Sequence, residues 1–259
     1  MENFTLTKKQ MRFKAMMHPN KIRISPSALD GFDFYLHNDY LNTPAYLNRV
    51  CGLEPPSMNL FAGEAVHKWL EFHQTHGLNG PVEVKRNGHD TETFEISHHK
   101  VNMEIPDCTF KEIKFEKEYP DYIIAGKMDA YDGITGYDWK TTSKSINLES
   151  YAESWQWKIY MLLNPDMVNF EYRIFQIKIL NHPSGQDNWH MIDIRGAKSL
   201  RLNRYDLKYE TLSMLDKYHK FLIDCEMKGW IERKKDPYFR WVPGSQFGKL
   251  MEDYNEVNQ

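Results

Sequence analysis

Two stretches that alternate apolar and polar residues flank an Asp-Gly pair near the middle of the chain, and together they predict a β-hairpin. The stretches are DYIIAGKMDAYD at residues 121–132 and ITGYDWKTTS at residues 134–143. An Asp-Gly dipeptide between two such runs favours a tight turn, so Asp132 and Gly133 are predicted to be its two central residues. The chain must therefore contain a sheet that is at least partly antiparallel.

The position of the turn determines which side chains of the two strands lie close together. With the Asp-Gly pair at the centre, Asp129 is predicted to lie opposite Gly136 and diagonally adjacent to Asp138. Diagonal neighbours have a backbone separation of about 7 Å, which lets both carboxylates reach one ion. Lys140 lies two positions after Asp138 and shares its face. Two carboxylates and one ammonium group are therefore predicted to converge.

This charge cluster has a chemical and a structural interpretation. Carboxylates this close repel each other unless a cation binds them, and oxygen ligands favour Mg²⁺ or Mn²⁺ over soft-site metals. An ammonium group held beside such an ion could orient a water molecule and stabilise charge on a phosphate. The structural alternative is that Asp129, Asp138 and Lys140 mark the solvated face of a half-exposed sheet.

Periodicity and turn residues predict the other elements. Helices are predicted from a serine-rich start at ISPSALDGF, and over residues 59–76, 147–164 and about 199–228. Besides the hairpin, strands are predicted over residues 109–120, 169–180 and 188–196. The order of these elements predicts an α/β (α+β) fold with a central mixed sheet of about five strands flanked by helices.

Composition bounds the class of protein. The chain has 259 residues, of which 41% are hydrophobic, which is ample for a packed core, and its net charge is only -3. A nucleic-acid partner would therefore have to be held by local basic patches. Cys51, Cys108 and Cys225 form no CxxC pair, which argues against a zinc ribbon or an iron-sulphur cluster. No apolar run suits a signal peptide or a membrane span, so a cytoplasmic protein without a membrane partner is expected.

Four short motifs in order resemble the RecB-like branch of the PD-(D/E)XK nuclease superfamily. They are GxxxH at Gly63–His67, GxxD at Gly126–Asp129, DxK at Asp138–Lys140 and QxxxY at Gln156–Tyr160. The segment ISPSALDGF also looks like the serine-containing helix start of that branch. Each motif is weak alone, but four in order on a helix-strand-strand-helix frame are fairly specific. The resemblance implies a restriction-endonuclease-like core.

The resemblance also implies roles for individual residues. Asp129 and Asp138 would ligate one or two Mg²⁺ or Mn²⁺ ions, with the backbone carbonyl of Trp139 adding an oxygen. Lys140 would be the catalytic lysine. His67 would be a further metal ligand, whereas without the resemblance a half-buried histidine hydrogen-bonded to a neighbour is the simpler interpretation.

Three further residues would support the site. Gln156 and Tyr160 lie one helical turn apart, and the resemblance implies that they support the site and contact substrate phosphate. Their alternative is ordinary helix packing. Glu64 precedes His67 by three residues and is either an acid that supports the site or a surface charge.

The function implied by the resemblance is a metal-dependent DNA exonuclease that hydrolyses phosphodiester bonds from DNA ends, in recombination, repair or phage DNA processing. A structure-specific or site-specific endonuclease on the same core, and a catalytically inactive nucleic-acid-binding fold, are the alternatives. The sequence has no cluster of cysteines and no Walker A pattern, so neither an iron-sulphur cluster nor a nucleotide cofactor is expected. A recombinase or single-strand annealing protein would be a separate chain, and a homo-oligomer stays open.

The chain is predicted to be a single nuclease domain over residues 1–259. Within it, residues 1–58 form a helical and basic segment, residues 59–195 the catalytic core, and residues 196–259 a helix with a basic-aromatic tail. The tail interleaves arginine and lysine with tryptophan, tyrosine and phenylalanine, which suits stacking on bases and holding phosphate. Aromatic residues that cover the core, flanked by solvated charge, are the alternative.

Overall fold

The computed structural model describes residues 21–38, 42–76, 80–86, 89–97, 108, 110–233 and 239–242. The helices are α1 (Pro26–His37), α2 (Thr43–Val50), α3 (Met58–His76), α4 (Leu148–Glu153), α5 (Trp155–Leu163) and α6 (Lys208–Met227). The strands are β1 (Ile22–Ile24), β2 (Val82–Lys85), β3 (Thr91–Ser97), β4 (Phe110–Glu118), β5 (Tyr122–Tyr131), β6 (Thr135–Thr142), β7 (Asn169–Asn181), β8 (Trp189–Asn203), β9 (Ile231–Arg233) and β10 (Phe239–Trp241). No helix within these ranges is long and apolar enough to cross a membrane.

Eight of the described strands form one mixed sheet, which confirms the predicted fold class. Their order is β1-β5-β6-β7-β8-β3-β2, and β4 pairs with β5. The five strands that the sequence predicted are β4 to β8, so the predicted number was too small. The missed strands are short or polar: β1 has three residues, and in β2 and β3 only Val84, Thr93 and Phe94 are buried. Strands that are short or bury few apolar residues carry little hydrophobic periodicity.

The boundary between β8 and α6 also differs from the prediction. β8 continues to Asn203 because residues 198–203 pair with β7, so α6 begins at Lys208 and not near Ser199. Residue 195, the predicted end of the core, lies inside β8. The helical segment predicted over residues 147–164 is divided in two, because Ser154 ends α4 and caps α5.

Helices cover both faces of the sheet. Alternate residues of β7 show this: Phe170 and Tyr172 pack in the cluster that contains Tyr160 of α5, whereas Phe175 and Ile177 pack with α3. Because successive residues of a strand point to opposite faces, α3 and α5 lie on opposite sides of the sheet. A third cluster joins α1, α2 and α6.

The turn of the β5–β6 hairpin lies one residue later than predicted. The Asp132 N–H donates to the Thr135 carbonyl at 3.2 Å, so Gly133 and Ile134 are the central residues. The Asp132 carboxylate accepts hydrogen bonds from the N–H groups of Ile134 and Thr135, at 2.8 and 2.6 Å. Gly133 has a φ of 105°, which glycine adopts without steric cost. The side chain of Asp132 thus fixes a turn that the dipeptide signal misplaced.

The later turn changes the register of the hairpin. Tyr131 pairs with Gly136, and two residues further along the strands the same register places Asp129 opposite Asp138. The prediction that Asp129 lies opposite Gly136 was therefore wrong. The two carboxylates lie directly across the hairpin from each other and not on a diagonal.

β5 changes its partner along its length. Tyr122–Ile124 pair in parallel with β1, whereas the last two residues of β5 pair antiparallel with β6. On that edge, residues 125–129 have no partner among the described strands, although residues 125–128 pair with β4 on the other edge. We call this unpaired edge, residues 125–129 between β1 and β6, the β5 gap.

Candidate active site

Four of the predicted residues lie together at the β5 gap. His67 Nδ1 is 3.4 Å from Asp129 Oδ1, and Lys140 Nζ is 2.6 Å from Asp138 Oδ2. His67 comes from α3 and Lys140 from β6. The carboxylates of Asp129 and Asp138 are only 11% and 4% exposed, so their charges act on each other with little screening by water.

Asp129 takes the place of a missing strand partner. Its Oδ2 accepts a hydrogen bond of 2.7 Å from the backbone N–H of Trp139, in the part of β6 that no longer pairs with β5. Burial disfavours the charged carboxylate, but the hydrogen bond and charge of His67, the Trp139 N–H and the charge of Lys140 outweigh it, so the pKa of Asp129 is lowered. Asp129 is therefore a carboxylate at neutral pH.

Asp138 lies in the opposite electrostatic situation. Burial and the charge of Asp129 raise its pKa to about 6, although the charge of Lys140 acts against the shift. Its Oδ1 accepts a hydrogen bond of 3.3 Å from Gln156 Nε2. Its Oδ2 is buried and lies 2.6 Å from Lys140 Nζ in a close ion pair. Each oxygen of Asp138 thus has a polar partner, the Gln156 amide for Oδ1 and the Lys140 ammonium for Oδ2.

These carboxylates favour the charged forms of the two basic groups. For His67, burial favours the neutral imidazole, but the hydrogen bond and charge of Asp129 and the charge of Asp138 raise its pKa. For Lys140, burial likewise opposes the charge, and the ion pair with Asp138 raises its pKa above the ordinary value. The cluster thus consists of two acids, each in contact with one basic group.

The helix α5 closes the other side of the gap. Besides the bond from Gln156 to Asp138, the hydroxyl of Tyr160 donates to the carbonyl of Lys127, a backbone acceptor in the β5 gap. A Cβ at Gly126 would lie 2.8 Å from Pro26 Cγ and 2.9 Å from Tyr160 Cε1, so only glycine lets α1 and α5 approach β5 this closely. The hydroxyl of Tyr160 thus bonds to the protein backbone, and its predicted contact with substrate phosphate stays a prediction.

Glu64 is not brought into contact with the four clustered residues. Its carboxylate pairs with Arg86 at 2.9 Å and with Lys68 at 3.6 Å. Among the described contacts this corresponds to the surface-charge alternative.

Three acids near the site were not predicted from the sequence. Glu71 and Glu112, with His67 and Asp129, line a cavity of about 20 Å³, which is room for a water molecule or an ion. Asp30 of α1 interacts electrostatically with Lys140. An acid inside the otherwise apolar run SALDGF was the available signal for Asp30.

The residues at the gap fit a hard divalent cation in their chemistry. The donor set is two carboxylates and one imidazole, which are ligands that Mg²⁺ and Mn²⁺ accept. Within the described ranges, however, no three His, Cys, Asp or Glu side chains already surround one point as ligands. The ammonium of Lys140 lies instead at the carboxylate of Asp138. Binding an ion would therefore require these side chains to rearrange.

A basic cavity of about 310 Å³ lies beside α5. Arg23, Lys114 and Lys127 contribute cationic groups to its lining, Gln156 and Tyr160 contribute polar groups, and Ser25 and Ser27 contribute hydroxyls. Arg23 is paired with Glu116, and Lys127 with Glu112. Cations and hydroxyls of this kind are typical of contacts to a phosphate backbone.

The predicted basic-aromatic tail is only partly described. Lys234, Lys235 and Tyr238 lie outside the described residues, as does the basic segment at residues 1–20. Phe239 is buried in the core, and Arg233 pairs with Glu226. For these two residues the structure matches the alternative of core cover and paired charge.

No protein-family model and no curated protein sequence matches the chain. Among solved structures, the chain is similar to a protein from Eubacterium rectale named "putative exonuclease", with 12% identity, a TM-score of 0.45, and 96% of this chain and 94% of that chain covered. It is also similar to a phage-related exonuclease from Haemophilus somnus 129PT, with 17% identity, a TM-score of 0.32, and coverage of 78% and 83%.

Proposed function

We propose that the protein is a Mg²⁺- or Mn²⁺-dependent deoxyribonuclease that degrades DNA from its ends. The observation that carries the proposal is the convergence of Asp129, Asp138, Lys140 and His67 at the β5 gap, with separations of 3.4 Å for His67–Asp129 and 2.6 Å for Lys140–Asp138. Buried acids and bases in mutual contact are costly for stability, and clusters of this kind are concentrated at functional sites.

The cation would be held by His67, Asp129 and Asp138, together with the backbone carbonyl of Trp139. When bound, a divalent ion supplies the Lewis acidity that phosphodiester hydrolysis requires. The raised pKa of Asp138, about 6, still leaves this residue largely ionised at pH 7.5, so it can serve as a ligand.

The protein's own groups would position and stabilise the reacting phosphate. Lys140 keeps its charge because of Asp138, so its ammonium can stabilise negative charge that develops on the phosphate and can orient the attacking water. Gln156 holds Asp138 Oδ1 and fixes the direction of the second oxygen. The basic cavity beside α5 would hold the DNA backbone next to these groups.

Action at DNA ends follows from the type of contact that the site offers. Side chains that grip phosphate carry no sequence information, so selectivity would come from access of a free end. This favours an exonuclease over a site-specific endonuclease. The resemblance of the four motifs to RecB-like nucleases supports the same choice and supports DNA as the substrate.

The test compares two substrates of identical sequence. In Mg²⁺, linear duplex DNA should be degraded progressively to short products, while covalently closed circular DNA survives. Asp138→Asn serves as the matched inactive control, because it keeps the shape of the side chain. Rapid linearisation of closed circles by the wild type, absent in Asp138→Asn, would overturn the exonuclease proposal and retain the site. Absence of cleavage of either substrate, in Mg²⁺ and in Mn²⁺, would overturn the proposed nuclease function.

A further inference from the structure

Asp30 joins α1 to the helix that carries Gln156 and Tyr160. Its Oδ1 accepts a hydrogen bond of 2.6 Å from the backbone N–H of Trp155, and its Oδ2 accepts one of 2.9 Å from Ser154 Oγ. Trp155 is the first residue of α5 and Ser154 is its N-cap. Both oxygens of a carboxylate on one helix are therefore used to hold the start of another.

The hydrogen-bond inventory of Ser154 fixes the direction of each bond. A serine hydroxyl has one hydrogen and two lone pairs, and an ionised carboxylate can only accept. The hydrogen of Ser154 is therefore given to Asp30, and Oγ accepts from the Gln156 N–H at 3.2 Å and from the Tyr172 hydroxyl at 3.1 Å. All hydrogen-bonding positions of the hydroxyl are used. Asp30 is the acceptor of its one hydrogen, so Asp30 contributes to fixing the position of Ser154.

The chain of contacts continues into the candidate active site. The backbone N–H of Gln156 bonds to Ser154, and its side-chain amide bonds to Asp138 Oδ1 at 3.3 Å. Asp30 also lies close enough to Lys140 for their charges to interact. The carboxylate of Asp30 on α1 thus interacts with two other elements, α5 through hydrogen bonds and β6 through the charge of Lys140.

Burial of the Asp30 carboxylate is by itself unfavourable for its charged form. Burial raises the pKa of Asp30, against the hydrogen bonds of Trp155 and Ser154 and the charge of Lys140. A helix N-cap needs only a serine, and Ser154 already provides one for α5. A second, buried acid behind the cap therefore adds something that capping alone does not require, namely a fixed position for α5 relative to α1.

We propose that Asp30 is a positioning residue of the active site, which sets the orientation of Gln156 on Asp138 through Ser154 and the first turn of α5. The proposal rests on the proposed nuclease function for its catalytic consequence. Its geometric part, the effect of Asp30 on Gln156, stands independently of catalysis.

The test uses the full chain with Asp30→Ala, Asp30→Asn and, as a matched control, Asp33→Ala. Asp33 is on the same helix, and its carboxylate pairs with His37 at the surface. Selective ¹⁵N-glutamine labelling gives the side-chain amide signals of Gln156, identified by their loss in Gln156→Leu. kcat and KM on linear DNA are measured per folded molecule, with the folded fraction taken from thermal unfolding.

Asp30→Ala should shift the Gln156 side-chain amide signals and lower kcat on the order of tenfold with little change in KM, since small misplacements of catalytic groups are costly. Asp30→Asn keeps a carbonyl acceptor for the Trp155 N–H and should restore most of the rate. Asp33→Ala should match the wild type.

Unmoved Gln156 signals in folded Asp30→Ala would overturn the proposal, and so would an unchanged kcat in an active enzyme. If Asp30→Ala does not fold, Asp30→Glu replaces it, because the longer side chain displaces the carboxylate without removing it. If the wild type does not cleave DNA, the proposed function alone fails. The Gln156 signals then decide by themselves whether Asp30 orients Gln156.

Discussion

The two ends of the β5–β6 hairpin use aspartate in opposite ways. At the turn, Asp132 is exposed, and its pKa is lowered because hydrogen bonds from Thr135, Ile134 and Tyr137 outweigh its small burial. At the β5 gap, Asp138 is buried and its pKa is raised to about 6. Aspartate thus stabilises the fold at the turn, as Asp132, and carries an unfavourable buried charge at the gap, as Asp138.

The difference follows from backbone pairing. At the turn, the strands pair regularly and the carboxylate of Asp132 accepts hydrogen bonds from the turn's own N–H groups. At the gap, the strands separate, and side chains take over backbone groups: Asp129 accepts from the Trp139 N–H and Tyr160 donates to the Lys127 carbonyl. Separation of β5 from its neighbours is therefore what makes room for reactive side chains between α3 and α5.

The largest expected effect is on cleavage. Asp129→Asn, Asp138→Asn and Lys140→Ala should each lower kcat by at least about 10²–10³-fold, because each removes a charge that acts on the reacting phosphate or the cation. Asp132→Asn, at the paired end, should cleave at the wild-type rate. Circular dichroism establishes that all four variants are folded, and an active variant at the gap would remove that residue from the site.

Removal of a tyrosine hydroxyl should lower the unfolding free energy more at the gap than at the turn. Tyr160→Phe leaves the Lys127 carbonyl in the gap without its donor, which should cost about 1–3 kcal/mol of unfolding free energy. Tyr131→Phe removes a similar bond, from the Tyr131 hydroxyl to the Gly133 carbonyl at the exposed turn, and should cost less than about 0.5 kcal/mol. Urea unfolding measures both, and equal losses would show that the gap imposes no special demand.

His67 sharpens the comparison through the metal. His67→Ala should raise the Mn²⁺ concentration for half-maximal cleavage at least about tenfold, since even groups that only orient ligands contribute this much to affinity. Lys68→Ala, the neighbouring residue that pairs with Glu64, should leave it unchanged. An unchanged metal dependence in His67→Ala would return His67 to a structural role.

The smallest expected effect is on the pH dependence of stability, which should change in opposite directions in variants at the two ends. Stability is measured as the melting temperature in EDTA. The lowered pKa of Asp132 means that its stabilisation is present above the unfolded value of about 3.9 and is lost as pH falls. The raised pKa of Asp138 means that its ionisation costs stability, fully above pH 6 and not below the unfolded value. From pH 3.5 to 7.5, Asp138→Asn should therefore gain on the wild type while Asp132→Asn loses. Parallel pH profiles would contradict the contrast.

Sequence periodicity predicted the elements that bury continuous apolar surface. β4 to β7, α3 and the start of β8 were found within a few residues, because each shows a clear alternation or helical stripe. β1, β2 and β3 were missed because strands that are short or bury few apolar residues lack that signal. The end of β8 was misjudged because its last residues are polar and pair with β7, a contact that is distant in sequence.

The sequence by itself determined which residue types stand close along the chain: the carboxylates and the lysine around one hairpin, and the histidine on a preceding helix. Only the tertiary structure decided how they meet. The register depended on the side-chain bonds of Asp132, and the gap depended on β1 replacing β6 beside β5. The place of Asp30 behind α5 depended on a contact 125 residues apart in the chain. Local periodicity reports which face of an element is apolar, whereas the partner of that face is chosen by packing across the whole molecule.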